Sequence, residues 1–261
     1  PQHYFVGFNQ RLPLFRPVLV RQALTLAVNR QAIIEGVLRG FGDYPQGTIP
    51  VALREYFADS LPRIPYDTGR ALDLLGQAGW RRDQAGRLRN EAGDRFEFVL
   101  LVDKGNPTRE QTATVIQQDL ARVGIGVTIS TMEFASLVRD YVQTHRYQAY
   151  LIWWNTPLDP DQFSYYATDQ ANNDVGYSNR QVDSLLGLGR AAIDPARRRA
   201  TYLALQSVEA VDPPVLVLYY PRELQVRRAS LAGMPALGIR DALRHSERLH
   251  FTRAPGPSGS P

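Results

Sequence analysis

With 261 residues, 44% hydrophobic and 21% charged, the chain has the size and composition of one large or two modest domains with a real core. Its net charge of +4 is carried almost wholly by arginine, with Lys104 the single lysine; the tightest cluster, Arg197 to Arg199, falls early in a predicted helix without interleaved aromatics, so no nucleic-acid partner is expected. Cysteine is absent, which excludes disulfides, thiolate zinc sites and a cysteine nucleophile, and no apolar run approaches the ~20 residues of a membrane helix.

The chain starts without Met, inside the strand-like "HYFVGFN", which suggests a fragment or a mature form cut from something longer. In "VRQALTLAVNRQAIIEGVLRG", Val20, Leu24, Ala27 and Val28 fall on one helical face, with Arg21, Gln22, Thr25 and Glu35 expected outside. Asn29 is placed to cap a second helix that buries Ile33, Ile34, Val37 and Leu38 and closes at Gly40. A Pro-rich loop follows. "YDTGRALDLLGQAGW" then predicts a short helix capped by Asp67, and "DQAGRLRNEAGD" a turn-rich hairpin.

From Phe96 the rhythm is strand, helix, strand, helix, strand. "FEFVLLVD" leads to a helix with Asn106 as cap and Pro107 at its first position. "IGVTISTM" leads to "FASLVRDYVQTH", and "YQAYLIWW" closes the series. "NRQVDSLLGLGRAA" and "DPARRRATYLALQSVEAV" are further helices, the second with Asp194 and Pro195 as its cap and first residue. "PVLVLYYP" and "ELQVRR" are predicted strands, and "APGPSGSP", residues 254–261, a disordered tail. The pattern is α/β, one sheet covered by helices.

The stretch "WWNTPLDPDQFSYYATDQ" raises a choice. Asp159, Pro160, Asp161 and Gln162 spell a helix start, with Asp159 as N-cap and Gln162 reaching back to it. That accounts for both carboxylates without chemistry. Neighbours at a cap are badly placed to face each other across a scissile bond. The tryptophans differ. If the three strands run parallel, their carboxyl ends bring together Lys104-Gly105-Asn106, Glu133-Phe134 and Trp153-Trp154-Asn155-Thr156, where open α/β sheets gather ligands. Adjacent strand residues face opposite ways, so one tryptophan is expected in the core. His3, His145, His245 and His250 have no metal-ligand spacing, and no nucleophile elbow or phosphate-binding loop is present. No catalytic residue, metal or cofactor is expected.

These segments, in this order, resemble the extracellular solute-binding proteins of family 5, the peptide, nickel and related receptors of ABC importers. The likeness rests on "VGFN", "VRQALTLAVNRQAIIEGVLRG", "YDTGRALDLLGQAGW", "IQQDLARVGIGVTISTMEF", "DPDQF", "GYSNRQVDSLL" and "YYP", and covers nearly the whole chain except its tail. It implies a periplasmic-binding-protein-like lobe of type II, a central mixed sheet flanked by helices. Residues 1–10 would be a crossing strand from a first lobe, residues 11–214 the ligand-binding second lobe, and residues 215–253 the returning strand and C-terminal segment. The implied partners are a small-molecule or peptide ligand, the membrane permease subunits of an ABC importer and the missing N-terminal lobe. The implied place is outside the cytoplasm.

The resemblance also sharpens the expected site. Phe134, Trp153 and Trp154 would stack on the guest, and Asn106, Asn155 and Thr156 would bond to it. An Asp that pairs with a peptide amino terminus in such receptors aligns with Thr156, a departure that puts a free-amine dipeptide in doubt and leaves a blocked peptide or an oligosaccharide open. The alternatives are a free-standing interaction module and, further off, an enzyme on an α/β scaffold.

Overall fold

The computed structural model describes residues 2–155, 159–222, 228, 230–233, 248 and 250–251. In chain order the elements are β1 (Gln2–Phe8), α1 (Val18–Ala27), α2 (Arg30–Ala32, continued by a wide π turn over Ile33–Val37), β2 (Gly42–Asp43), α3 (Thr68–Gln77), β3 (Arg81–Arg82) and β4 (Leu88–Arg89). There follow β5 (Glu97–Asp103), α4 (Pro107–Arg122), β6 (Gly126–Met132), α5 (Phe134–Ser136, with a π turn over Leu137–Val142) and β7 (Ala149–Asn155). The last are α6 (Phe163–Tyr166), α7 (Arg180–Ala191), α8 (Pro195–Val211), β8 (Leu216–Pro221), β9 (Leu231–Ala232) and β10 (His250–Phe251). The predicted strand "ELQVRR" and the tail lie outside the described residues, save Arg228, which is in no strand.

Local chemistry sets the helix starts. Asn106 Oδ1 accepts the Arg109 N–H at 3.0 Å ahead of Pro107, and Asp67, Asn179 and Asp194 cap α3, α7 and α8 in the same way. Asn29 caps α2 through the Ala32 N–H. Helix α4 ends at Gly124, whose φ of +87° reverses the chain into β6.

Six strands form one mixed sheet in the order β2-β8-β1-β7-β5-β6. β5 pairs parallel with both β6 and β7, while β1 runs antiparallel between β7 and β8. Alternation then sorts the side chains. Val6, Phe8, Phe98, Leu100, Val102, Ala149 and Leu151 join α1 to α4 in one core. Phe5, Leu101, Tyr150 and Ile152 join α5 to α8 in the other. Gly7, opposite Tyr150, leaves room for its ring: a Cβ there would lie 2.4 Å from Tyr150 Cζ.

The predicted outer face of α1 is corrected at two positions. Arg21 and Thr25 are buried. The Arg21 guanidinium donates to the carbonyls of Phe15, Arg16 and Pro213 and is paired with Asp212. The Thr25 hydroxyl donates back to the Arg21 carbonyl at 2.9 Å. Hydrogen bonding to distant backbone overrides the polar pattern, because a buried charge survives only where its donors are met.

Candidate functional site

The carboxyl ends of β5, β6 and β7 lie on one edge of the sheet, as the parallel pairing requires. β1 begins and β8 ends at the same edge, since Gln2 and His3 stand opposite Asn155 and Trp154 and β8 runs with β7. β5 and β7 pair only as far as Val102 and Leu151. Trp153, Trp154 and Asn155 therefore overhang the end of β5, and on that side nothing in the sheet covers them.

The two tryptophans diverge as the strand pleat demands. Trp154 packs on the core of α5 to α8, with ring centroids 4.8 Å from Phe5 and 4.5 Å from Tyr165. Trp153 stands half-buried on the other face, opposite Tyr4, which is itself stacked on Tyr219 at 4.8 Å. Asn155 is exposed, Phe134 is 39% exposed at the start of α5, and Asn106 caps α4 with its amide oxygen. These five predicted residues share the edge; Thr156 lies outside the described residues.

A narrow notch of about 20 Å³ is lined by His3, Trp154, Asn155, Gln162, Tyr165 and Tyr166, together with Asp159 and Asp161. That volume takes a single small group, such as a methyl or a water. His3 is buried, and burial drives its pKa down to about 4, so the imidazole is neutral at neutral pH. Its place in the notch was not legible in the sequence. Only the alternation in "HYFVGFN" and the aromatic run "FSYY" hinted at the elements, and neither shows that His3 sits beside Trp154.

The helix start predicted at Asp159 is corrected. Asp159 Oδ1 accepts the Asp161 N–H and Asp161 Oδ1 accepts the Phe163 N–H, each at 2.9 Å. Two successive side-chain turns thus precede α6, which begins only at Phe163. Gln162 does not reach back to Asp159; its amide bonds to Thr48. The carboxylates are paired outside the helix: Asp159 meets Arg198 at 2.6 Å and Asp161 meets Arg190 at 2.8 Å.

The remaining acids of the edge are likewise engaged. Asp103 forms a buried pair with Arg109 at 2.5 Å; burial raises its pKa and Arg109 opposes the rise. Glu133 accepts the Ser136 N–H at 2.9 Å, and backbone donors from Ala135 and Ser136 lower its pKa. Burial pushes the Asp159 carboxyl up, but Arg198 and the Asp161 N–H outweigh it and hold it low. Arg109 also stands 5.9 Å over the Phe134 ring. Lys104, exposed at the end of β5, makes no ion pair within the described residues. The edge offers aromatic surface, amide groups and the Lys104 ammonium, with Asp103, Asp159 and Asp161 paired to arginines and Glu133 held by backbone N–H groups. Among the described residues, no group of three potential metal-ligating side chains forms.

Comparison with known proteins gives the family and the fold. Residues 1–175 match the family profile "Bacterial extracellular solute-binding proteins, family 5 Middle". The chain is 28% identical to the oligopeptide-binding protein AppA of Bacillus subtilis over 88% of its own length and 44% of that protein's. It is 27% identical to the dipeptide-binding protein of Escherichia coli, over 88% of this chain and 42% of the relative. Among solved structures, Bacillus subtilis AppA in complex with a nonapeptide superposes with a TM-score of 0.82 at 26% identity, covering 97% of this chain and 51% of that one. NikZ of Campylobacter jejuni with Ni(L-His) superposes at 0.77 and 21% identity, covering 95% and 51%, and shares the fold. The chain spans about half the length of the relatives it matches.

Proposed function

The chain belongs to the bacterial extracellular solute-binding proteins of family 5, and from that membership we propose that it is the second lobe of a receptor that captures a peptide-like or other polar solute outside the cytoplasm and hands it to the permease of an ABC importer. Residues 11–214 are the guest-binding lobe. Residues 1–10 and 215–253 carry the strands that cross to and from a first lobe, and β1 and β8 leave the sheet at the edge that holds the tryptophans. Closure of two lobes about such strands would bury the guest. No reaction is assigned.

The observation that carries this proposal is the overhang of Trp153, Trp154 and Asn155 beyond β5, on the edge that also carries Phe134 and Lys104 and on which Asp103, Glu133, Asp159 and Asp161 are engaged. Stacking surface with amide donors and acceptors suits the flat, polar groups of a peptide backbone. The free ammonium of Lys104 suits a guest carboxylate or carbonyl, and an ABC permease is the partner implied for the closed form.

The test is calorimetric titration of the receptor-length protein with libraries of free and end-blocked peptides. Trp153→Ala and Trp154→Ala are each expected to weaken binding by about 10- to 100-fold, the worth of one buried aromatic side chain. Unchanged affinity in both variants would overturn the assignment. The 261-residue chain alone is expected to bind weakly, because half the contacts are missing; sub-micromolar affinity would contradict the two-lobed reading.

A further inference from the structure

Behind the notch, Thr48 joins two buried groups. Its hydroxyl oxygen lies 2.8 Å from Gln162 Oε1 and 2.7 Å from Glu209 Oε2. All three side chains are buried. The Gln162 amide nitrogen donates in turn to the Thr48 carbonyl at 3.2 Å. Thr48 owns a single hydroxyl proton, so it can donate to only one of the two oxygens.

If Glu209 is ionised, both neighbours of the hydroxyl are acceptors and one contact has no proton. Turning the Gln162 amide over would put its nitrogen on the hydroxyl, but would then set its oxygen against the Thr48 carbonyl. A neutral Glu209 resolves every contact: the acid proton goes to the Thr48 hydroxyl, the hydroxyl proton to Gln162 Oε1, and the amide to the Thr48 carbonyl. The other carboxyl oxygen, Oε1, has no hydrogen-bond partner and is buried, which an ionised group tolerates poorly. Among the described residues, the groups facing Glu209 supply no counter-charge in contact. They are the hydroxyls of Tyr166 on α6, Tyr177, and Tyr220 on β8. Arg30, which lines the same cavity of about 30 Å³, packs instead on Tyr44 and the Ile64 carbonyl.

We propose that Glu209 is a proton-binding site that positions the wall of the notch beside Trp154: neutral, it completes the hydrogen-bond chain through Thr48 that holds Gln162 and α6 against Trp154, and on ionisation it accepts the Thr48 hydroxyl hydrogen bond away from Gln162 and lets that wall loosen. Gln162 lines the notch and directly precedes α6, whose Tyr165 packs on Trp154. The small cavity beside Glu209 shares Thr25, Ile64, Ala210 and Pro213 with a groove of about 520 Å³ between α1, α3 and the end of α8. Burial raises the Glu209 pKa to about 7, which places the switch near neutrality.

That Trp154 borders a guest site rests on the proposed receptor function; the proton switch does not, and its test uses no guest. Carbon-13 spectra of the side-chain carboxyls of the 261-residue chain, taken from pH 5 to 9, are expected to show one glutamate titrating near pH 7 that disappears in Glu209→Gln. Hydrogen exchange of the amides from Phe163 to Tyr166, corrected for its intrinsic pH dependence, is expected to lose about tenfold protection, the worth of one hydrogen bond, across the same midpoint. In Glu209→Gln, whose amide can donate to Thr48 at any pH, the corrected protection should stay flat. Thr48→Ser should behave as the parent and Thr48→Val should lose protection at both ends of the range. A Glu209 titrating in the ordinary carboxylate range, or a glutamine variant with the parent's pH profile, would overturn the proposal. If the glutamine variant does not fold, the parent's own titration and the Thr48 pair decide. Silent Trp153 and Trp154 variants would sink the receptor reading while leaving this result untouched.

Discussion

Arg109→Met removes the cationic half of a pair whose side chains are 8% and 5% exposed and meet at 2.5 Å. Asp103 would then keep its charge in a site that already raises its pKa by burial. Removing one partner of such a pair costs about 3–5 kcal/mol, because the other is left uncompensated; removing both costs far less. The expected outcome in urea unfolding at pH 7 is a loss of about 3 kcal/mol or more for Arg109→Met. Most of it should be regained in Asp103→Leu with Arg109→Met. The sign with pH is fixed. Without Arg109, the folded pKa of Asp103 rises further above its unfolded value, so the contribution of this group is intact at low pH and is lost as pH rises through the folded pKa. The deficit of the single variant should therefore shrink on going from pH 7 to pH 5. A loss below about 1 kcal/mol, the range of exposed pairs, or a double variant weaker than the single, would refute the reasoning.

Gly124→Ala places a Cβ at φ +87°, 2.4 Å from the Gly86 carbonyl oxygen, and is expected to cost about 2 kcal/mol or more in thermal or urea unfolding; a neutral effect would mean that β3 and β4 yield freely. Asp119→Ala removes the acceptor of the Asn29 N–H, a 2.8 Å bond that ties the joint between α1 and α2 to α4. A loss of about 1–3 kcal/mol is expected, with faster exchange of that one amide, and protection unchanged at Asn29 would count against it.

How much of this protein could be read from the chain depends on the distance over which each feature is decided. The caps of α2, α3, α4 and α8 were legible because Asn29, Asp67, Asn106 and Asp194 bond to donors within three residues. The strand and helix text from Phe96 to Asn155 was legible, and the parallel pairing that the reading supposed, which brings Asn106, Phe134 and the tryptophans to one edge, is what the structure shows. The covering of that edge was not legible. That β1 lies against β7, with His3 beside Trp154, is a pairing across most of the chain, and no local pattern encodes it. Arg21 looked like a surface residue because two of its partners, the Pro213 carbonyl and Asp212, are distant in sequence, and Thr25 because its bond to the Arg21 carbonyl leaves no mark in the polar pattern. Asp159 and Asp161 looked like a cap because Arg190 and Arg198 were out of view. Periodicity and short-range hydrogen bonds are properties of neighbouring residues, so composition and order determine them. The partner of a buried polar group, and the proton that Glu209 holds against Thr48, exist only once packing has excluded water and brought distant segments together.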